Sequence, residues 1–340
     1  MVVVMRLPLI TQTGRLTMQT FDLLIQEIRD VSPLIREFVL TANTNTALPP
    51  IQPGAHLQVQ IPELNDHRCY SLIVTDPDYD WHASPQQYRL GVRLEENSKG
   101  GSLFMHQRQV GDVLTVKGPV NDFPLAEAQP DEKPIVLIAG GIGITPIASM
   151  AHALTQQGRS CTLHYSARST EQLAFADELR SLLGEQLHCY TNDHHALDLS
   201  TLFDGLSPDQ HIYVCGPQGM IDAVIALAKD RGWPRCHIHF ELFITAAPVA
   251  GDQPFEVELR QSGLSFVIPA DKTIIDVLEE AGEDPMYDCK RGECGVCTVD
   301  VLEGIPDHRD YFLTDKEKAS GKVMQICISR AKSQKLVLDM

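Results

Sequence analysis

Four cysteines near the C-terminal end of the chain have the spacing of metal ligands. Cys289, Cys294 and Cys297 follow a C-x4-C-x2-C pattern, and Cys327 comes after 29 intervening residues. Plant-type iron–sulfur proteins use this pattern to bind a [2Fe–2S] cluster through four thiolates. We therefore predict that these cysteines bind such a cluster, three from one tight loop and the fourth from a distant strand.

Two glycines inside this loop, Gly292 and Gly295, support the assignment. Without a Cβ, the backbone can wrap closely around a cluster and direct amide N–H groups at its sulfurs. The alternative is a structural zinc site, but such sites favour two C-x2-C pairs and this chain has one. Disulfides fit less well still. The nine cysteines are an odd number, and the other five lie on apolar stretches, as is typical of reduced buried thiols.

A second candidate site is the turn Gly-Gly-Ile-Gly-Ile-Thr-Pro at residues 140–146. It separates an all-apolar stretch from a predicted helix, where backbone N–H groups and the helix dipole can bind a pyrophosphate. Because the pattern differs from G-x-G-x-x-G, a simple tight turn stays open as the alternative. A Cys-Gly-Pro turn at 215–217 ends another predicted strand, and we expect both turns to face one crevice. The cofactor-binding candidates in the two turns are Gly140, Gly141, Gly143, Gly216 and Pro217.

A third candidate site combines residues 68–71, Arg-Cys-Tyr-Ser, with residues 98–102, Ser-Lys-Gly-Gly-Ser. The guanidinium of Arg68 suits a phosphate group. Tyr70 can lie against a planar ring system, and Ser71 can bond its edge. The second segment offers amides, hydroxyls and a cation for the same phosphate. Alone, residues 68–71 could equally form an ordinary strand with one exposed arginine.

Two kinds of element are expected to position the second and third sites. Residues 18–125 contain short alternating stretches broken by turns, which predict an antiparallel barrel or sandwich. The predicted strands there are 17–25, 36–41, 56–61 and 88–94. Residues 132–243 alternate apolar strands with helical stretches, which predicts a parallel sheet of βαβ units. The predicted strands there are 134–139, 161–166 and 211–216.

A third domain is expected to carry the cysteines. Residues 244–254 lack periodicity and are predicted to be a linker. Residues 255–340 then contain predicted strands at 255–259 and 265–268 and a helix at 274–280, before the cysteine loop. The fold class is therefore multidomain, mixing α+β and α/β architectures. A length of 340 residues agrees with two or three domains.

Charge and composition exclude several functional classes. With 28 basic and 45 acidic residues the net charge is −17, which argues against nucleic acid or an anionic membrane as the main partner. The apolar N-terminal stretch is interrupted by Arg6 and Pro8, so it predicts neither a signal peptide nor a membrane span. We expect the first 17 residues to be an extension and the protein to be cytoplasmic.

In their order along the chain, these motifs resemble the phthalate dioxygenase reductase and vanillate demethylase reductase family, the reductase components of Rieske oxygenase systems. Further matches occur at residues 121–125, 239–243, 307–310 and 327–333. The resemblance therefore covers essentially the whole chain after residue 18. It implies an FMN-binding β-barrel, a Rossmann-like nicotinamide-binding domain and a C-terminal β-grasp ferredoxin.

The resemblance also implies roles for individual residues. Arg68 and Ser102 would bind the FMN phosphate, and Tyr70 and Ser71 would line the isoalloxazine. Further cofactor-binding candidates are Cys69, Val92, Lys99 and Gly101. Thr145 and Cys215 would lie near the nicotinamide, where hydride transfer occurs, and Phe243 would cover the flavin.

The implied activity is electron transfer from NADH to a terminal Rieske oxygenase. A nicotinamide gives up two electrons as hydride and an iron–sulfur cluster accepts one at a time. A flavin can do both and must therefore lie between them. The expected path is hydride transfer from NADH to FMN, followed by single electrons through the cluster. We expect the protein alone to be a monomer, with no nucleic-acid or membrane partner.

Two other functions stay open from the residues alone. One is a free-standing flavin reductase or oxidase that passes electrons to dioxygen or small acceptors. The other is a non-catalytic, metal-binding redox sensor. The choice of NADH or NADPH is also open. Arg168, with Ser166 and Ser169, could accept a 2′-phosphate, although the family resemblance favours NADH.

Overall fold

The computed structural model describes residues 19–43, 47–129, 132–243, 249 and 251–340. Its contacts divide the chain into two compact units, residues 1–240 and 241–340. The predicted N-terminal extension, and most of the predicted linker at 244–254, lie outside the described residues. In the described part of the chain, no helix combines the length and apolar character needed to cross a membrane.

The first unit begins with an antiparallel six-stranded sheet in the order β4-β3-β6-β1-β2-β5. Its strands are β1 (Thr20–Ser32), β2 (Ile35–Ala42), β3 (His56–Ile61), β4 (Asp66–Ser71), β5 (Gln87–Arg93) and β6 (Val113–Val120). The Ile73 N–H donates to the Arg89 carbonyl at 2.9 Å and Leu72 bridges Leu90, so the chain leaving β4 returns to β5. This closes the sheet into the predicted barrel. A short helix, α1 (Gly101–His106), follows β5.

The second sheet of this unit is five-stranded, in the order β11-β10-β7-β8-β9. Its strands are β7 (Ile135–Gly140), β8 (Cys161–Ala167), β9 (Leu187–Thr191), β10 (Ile212–Cys215) and β11 (Ile238–Glu241). Strand β7 runs parallel to β8 and β10, which confirms the predicted βαβ pattern. The helices are α2 (Ile144–Gln156), α3 (Ala176–Leu183), α4 (Leu199–Asp204) and α5 (Gln218–Asp230). Every residue of β7 is buried, as expected for a central parallel strand.

Helix α2 is more deeply buried than its amphipathic pattern predicts. All residues from Ile144 to Leu154 are buried, not only the face that packs on the sheet. The reason is the chain after β4, which covers the other face. Ser149 Oγ donates to the Leu72 carbonyl at 2.7 Å, and His152 Nε2 bonds the Asp76 carbonyl at 2.6 Å. The helix that follows the glycine-rich turn is therefore held between the parallel sheet and the barrel.

The second unit is a mixed sheet in the order β13-β12-β18-β14-β16, with a separate β15–β17 pair. Its strands are β12 (Phe255–Leu259), β13 (Ser265–Ile268), β14 (Thr298–Glu303), β15 (Pro306–Asp307), β16 (Val323–Gln325), β17 (Arg330–Ala331) and β18 (Lys335–Leu338). Strands β12 and β18 are parallel and the other pairs are antiparallel, a β-grasp arrangement. Helices α6 (Ile274–Glu280) and α7 (Asp315–Ser320) both begin with capping boxes.

Candidate cofactor sites

The four predicted cluster ligands lie together in the second unit as two pairs. The thiols of Cys289 and Cys294 are hydrogen-bonded to each other, and so are those of Cys297 and Cys327. Within the described residues, no three such side chains are arranged to bind a single metal ion. A zinc site needs four ligands around one point, whereas two pairs of thiols suit two irons. The donor set therefore fits a [2Fe–2S] cluster better than zinc.

The backbone of the cysteine loop stabilises negative charge on the ligand sulfurs. The Arg291 N–H donates to Cys289 Sγ at 3.3 Å, and the Glu293 and Cys294 amides also bond this sulfur. A hydrogen bond from the Cys294 thiol, and then these amides, lower the pKa of Cys289. Iron binds the thiolate form, and backbone amides that donate to Cys289 Sγ would stabilise the charge that this ligand carries.

Both loop glycines are required by their backbone angles and by their neighbours. Gly292 has φ +75° and Gly295 has φ +80°, a region that other residues rarely adopt. A Cβ on Gly292 would overlap the Ile328 side chain, and one on Gly295 would overlap the Phe312 ring. These contacts agree with the close wrapping predicted for the loop.

Sequence reasoning missed a buried glutamine beside one ligand. Gln325 is fully buried, and its Oε1 lies 3.0 Å from Cys297 Sγ. The pairing of β14 with β16 places Thr298 opposite Gln325 and so brings the glutamine beside the loop. The available signal was a polar residue flanked by Met324 and Ile326, two positions before a ligand.

A buried ionic group behind the loop was also missed. Arg291 lies 3.9 Å from Glu241 and 3.5 Å from Glu293, and all three side chains are almost inaccessible. Burial, opposed by Arg291, raises the pKa of Glu293 to about 8. The Leu242 N–H donates to the Glu293 carboxylate at 2.6 Å. The loop is thus attached to the first residues of the second unit.

In the barrel, the structure brings together several of the predicted phosphate-binding residues. Arg68 and Tyr70 share one face of β4, because they are two residues apart in a strand. A Cβ on Gly101 would lie 2.6 Å from Arg68 Cγ and 3.3 Å from the Tyr70 hydroxyl. Ser102 Oγ donates to Ser98 Oγ at 2.9 Å. The start of α1 therefore lies against Arg68 and Tyr70, which fits a site for a flavin phosphate.

The arginine in this site already has an acidic partner that sequence reasoning did not identify. Arg68 Nη1 forms an ion pair with Asp66 and also donates to the His67 carbonyl at 2.7 Å. The guanidinium side chain keeps 33% of its exposure, so one side stays accessible to a ligand.

The remaining predictions in the barrel have different environments. Cys69 and Lys99 are exposed, whereas Ser71 is buried at the end of β4. Val92 packs in the barrel core with 1% exposure, and its carbonyl bonds His106 Nε2 at 2.9 Å. Tyr70 packs against the same core cluster from its edge.

The two turns of the parallel sheet pack directly against each other. A Cβ on Gly143 would overlap the Cys215 carbonyl, and one on Gly140 would lie 2.6 Å from Pro217 Cδ. Gly141 has φ +53°, and a Cβ there would meet no other atom within 4 Å. The glycine-rich turn and the Cys-Gly-Pro turn therefore lie side by side at the carboxyl ends of β7 and β10; that they line a nucleotide crevice stays a prediction.

The three residues assigned to the hydride-transfer site lie in different places. Thr145 is 1% exposed, and its hydroxyl donates to the Ile142 carbonyl at 3.0 Å. The Thr145 methyl group packs so closely against Gly91 of β5 that a Cβ on this glycine would overlap it. Thr145 therefore lies between the parallel sheet and the barrel. Cys215 is fully buried at the end of β10. Phe243 belongs to the second unit and is 39% exposed.

Comparison with protein-family models assigns two segments of the chain. A 2Fe-2S iron-sulfur cluster binding domain matches residues 257–332. The N-terminal domain of the dimethylamine monooxygenase subunit DmmA-like family matches residues 126–238. The first match contains all four cysteine ligands, and the second contains both turns of the crevice.

Curated relatives match over nearly the whole chain. The heme-dependent oxidative N-demethylase beta subunit of Ectopseudomonas mendocina (strain ymp) is 37% identical over 94% of this chain and 98% of its own. Phthalate dioxygenase reductase of Burkholderia cepacia is 38% identical over 90% of this chain and 93% of its own.

Solved structures agree with the curated relatives. The phthalate dioxygenase reductase structure has a TM-score of 0.69 and 37% identity, covering 94% of this chain and 98% of that one. An intact type IV self-sufficient cytochrome P450 monooxygenase has a TM-score of 0.71 and 33% identity over 94% of this chain. This chain spans 41% of the length of that P450. The chain therefore belongs to the phthalate dioxygenase reductase and vanillate demethylase reductase family, and it is an NAD(P)H-dependent reductase that transfers electrons through a flavin and a [2Fe–2S] cluster.

Proposed function

We propose that this reductase takes hydride from NADH onto FMN and delivers single electrons to a separate terminal oxygenase of the Rieske type. The observation that carries the proposal is the arrangement of the four thiols in two pairs, Cys289 with Cys294 and Cys297 with Cys327, since a cluster of this kind serves one-electron transfer to a protein. When bound, a flavin accepts hydride and releases electrons singly, which links the nicotinamide to the cluster. The chain's own residues position these groups.

In the barrel, Arg68 and Ser102 are proposed to bind the FMN phosphate, with Tyr70 beside the ring. Support comes from the close approach of Arg68, Tyr70 and Gly101, because only a glycine leaves room for both side chains. A guanidinium and a hydroxyl together supply the charge-assisted contacts that a phosphate needs. FMN is therefore proposed to be anchored by the end of β4 and the start of α1.

In the crevice, the glycine-rich turn is proposed to bind the pyrophosphate of the nicotinamide dinucleotide. No neighbouring atom lies within 4 Å of the position of a Cβ on Gly141, so a ligand can approach the backbone of this turn closely there. The Thr145 proton is used in the bond to Ile142, so Thr145 Oγ1 can only accept from a ligand. The carboxamide of a nicotinamide offers a suitable donor. We also propose that Cys215 lies near the nicotinamide and that Phe243 covers the flavin.

We propose NADH as the preferred donor, with NADPH also accepted. Arg168 is exposed directly after β8, and within the described residues it makes no hydrogen bond or ion pair. An unpartnered guanidinium there can bind a 2′-phosphate. Steady-state kinetics of Arg168→Ala with both donors test this. The value of kcat/KM should fall for NADPH and stay unchanged for NADH, whereas equal losses would contradict the assignment.

A haem-containing oxygenase is the second candidate partner. The Ectopseudomonas relative is described as the beta subunit of a heme-dependent N-demethylase, and the P450 contains a region similar to this chain. A haem-containing acceptor is therefore the alternative to a Rieske acceptor. We also propose that the protein is cytoplasmic and monomeric on its own, without nucleic-acid or membrane partners, in keeping with its net charge of −17.

Stopped-flow reduction of purified oxygenases tests the proposed partner. The reductase with excess NADH is mixed anaerobically with a Rieske oxygenase, or with a haem oxygenase, from the same source. We expect the Rieske centre to be reduced rapidly, and Cys294→Ser to abolish that reduction. Rapid haem reduction alone would favour the second candidate. If neither oxygenase is reduced while NADH consumption continues in air, the protein is a free-standing flavin oxidase.

A further inference from the structure

Gln325 connects a cluster ligand to the backbone of the ligand loop. Its Oε1 lies 3.0 Å from Cys297 Sγ, and its Nε2 donates to Thr298 Oγ1. The Thr298 hydroxyl in turn donates to the Gly295 carbonyl at 2.6 Å. Cys297, Gln325, Thr298 and Gly295 therefore form one continuous hydrogen-bonded chain beside the cluster site.

The position of this glutamine is firmly held. Gln325 has no solvent exposure, and its main chain pairs with Thr298 across β14 and β16. The main-chain carbonyl of Gln325 accepts a hydrogen bond from the Ser329 N–H at 3.1 Å. A buried amide in this setting must keep its hydrogen bonds, because a buried polar group without a partner loses the hydrogen bonds that water would give it in the unfolded chain.

The orientation of the amide depends on whether Cys297 carries a proton. In the structure the Cys297 thiol donates to Gln325 Oε1. An iron-bound cysteine is a thiolate with no proton to donate, so a carbonyl oxygen facing it is unfavourable. Rotation of the side-chain amide by 180° directs Nε2–H toward the sulfur and Oε1 toward Thr298, and it leaves the shape of the side chain unchanged. Thr298 then donates to Oε1 instead of to Gly295, and both ends of the amide remain bonded.

We propose that Gln325 donates a hydrogen bond to the Cys297 sulfur in the cluster-bound protein, in an orientation set by Thr298, and thereby raises the reduction potential of the cluster. Reduction adds negative charge to the cluster and its sulfurs. An N–H donor stabilises this charge more in the reduced form than in the oxidised form. The inference rests on cluster binding and deepens the proposed electron path, because a higher potential favours electron transfer from the flavin to the cluster.

The first test is the midpoint potential of the cluster in the purified holoprotein, measured by spectroelectrochemical titration. Gln325→Met keeps the length of the side chain but removes the donor. The equilibrium constant for cluster reduction should fall roughly tenfold, which is about 59 mV for one electron. Thr298→Val removes the group that orients the amide and should shift the potential in the same direction by less. Gln334→Met, at an exposed position, is the control and should leave the potential unchanged.

A second measurement needs no substitution and covers the case in which Gln325→Met does not assemble a cluster. The wild-type holoprotein is labelled with ¹⁵N in its glutamine side-chain amides, and the reduced cluster is examined by pulsed electron paramagnetic resonance. A coupled ¹⁵N nucleus is expected, since Gln325 is the glutamine beside a ligand sulfur. Absence of ¹⁵N coupling, or an unchanged potential in Gln325→Met with an intact cluster spectrum, would overturn the proposal. Because neither measurement uses an oxygenase, failure of this inference is distinguishable from failure of the proposed partner.

Discussion

The cysteine loop and the nucleotide crevice both depend on glycines, but for different reasons. Gly292 and Gly295 have φ near +75° and +80°, so their own backbone conformation requires glycine. Gly143 has φ −60°, which any residue can adopt, and it is required only because the Cys215 carbonyl lies where its Cβ would be. The comparison shows that the local backbone conformation already requires Gly292 and Gly295, whereas Gly143 is required only by its contact with a residue 72 positions away.

The largest effect is expected for a substitution in the cysteine loop, which tests whether cluster binding is independent of flavin reduction. Cys294→Ser removes one of four ligands and should prevent stable binding of the cluster. Reduction of the flavin by NADH should continue, because the residues proposed to bind the FMN phosphate and the nicotinamide dinucleotide lie in the other unit. Visible spectroscopy and stopped-flow kinetics measure both. Loss of flavin reduction as well would show that the two sites are not independent.

A smaller but substantial effect is expected in the crevice. Gly143→Ala forces a methyl group against the Cys215 carbonyl and should cost about 1–3 kcal/mol, so the KM for NADH should rise roughly tenfold or more. The matched control is Gly219→Ala, since a Cβ there meets nothing within 4 Å. Steady-state kinetics and thermal unfolding check the pair. Equal behaviour of the two variants would contradict the importance of this contact.

The third prediction concerns the barrel. Arg68→Ala removes a charge-assisted contact worth about 1.5–3 kcal/mol, which corresponds to roughly 10- to 150-fold weaker FMN binding. Flavin fluorescence titration of the apoprotein measures this. Arg68→Lys keeps the charge without the planar fork and should lose less. Asp66→Asn removes the competing carboxylate and should tighten FMN binding, and unchanged affinity in all three variants would remove Arg68 from the site.

The smallest effect is a difference between the two units in how their stability depends on pH. Burial lowers the pKa of His164 and His239 to about 4, so the neutral forms stabilise the parallel sheet above pH 6.5. That stability should be lost as the pH falls from 6.5 to 4, because only the unfolded state binds protons there. In the second unit, the Arg309 ion pair lowers the pKa of Asp252 to about 2, so its contribution is lost only between pH 3.8 and 2.

Hydrogen exchange at several pH values can follow both units separately. We expect amides of β8 and β11 to lose protection by pH 5 while those of β12 and β18 stay protected. Replacement of His164 by Gln, which cannot be protonated, should reduce the acid sensitivity of the parallel sheet. Simultaneous loss of protection in both units would contradict the separation.

Several strands and the cluster ligands could be predicted because their signals are local. The predicted strands at 56–61, 255–259 and 265–268 agree with the structure residue for residue, and the helix expected near 274–280 is present as α6. Alternating or helical periodicity within a few residues determines which face can be buried. The cluster ligands were predicted from the spacing of the cysteines, whereas the pairing of Cys297 with Cys327 is seen only in the folded chain.

Other parts of the molecule depend on contacts between distant residues. The burial of α2 on all sides follows from the chain after β4, which periodicity within the helix cannot reveal. Gln325 and Glu293 each look like an isolated polar residue in sequence, and only β-sheet pairing and loop closure show what they contact.

The amino-acid sequence by itself determined the cluster ligands, the order of the sites and the type of each sheet, because spacing and periodicity act over short distances. Tertiary structure alone decided which glycine faces a distant carbonyl, which carboxylate pairs with Arg68 and which amide lies beside Cys297. These contacts join residues that only the folded chain brings within a few ångströms of each other, so no local pattern records them.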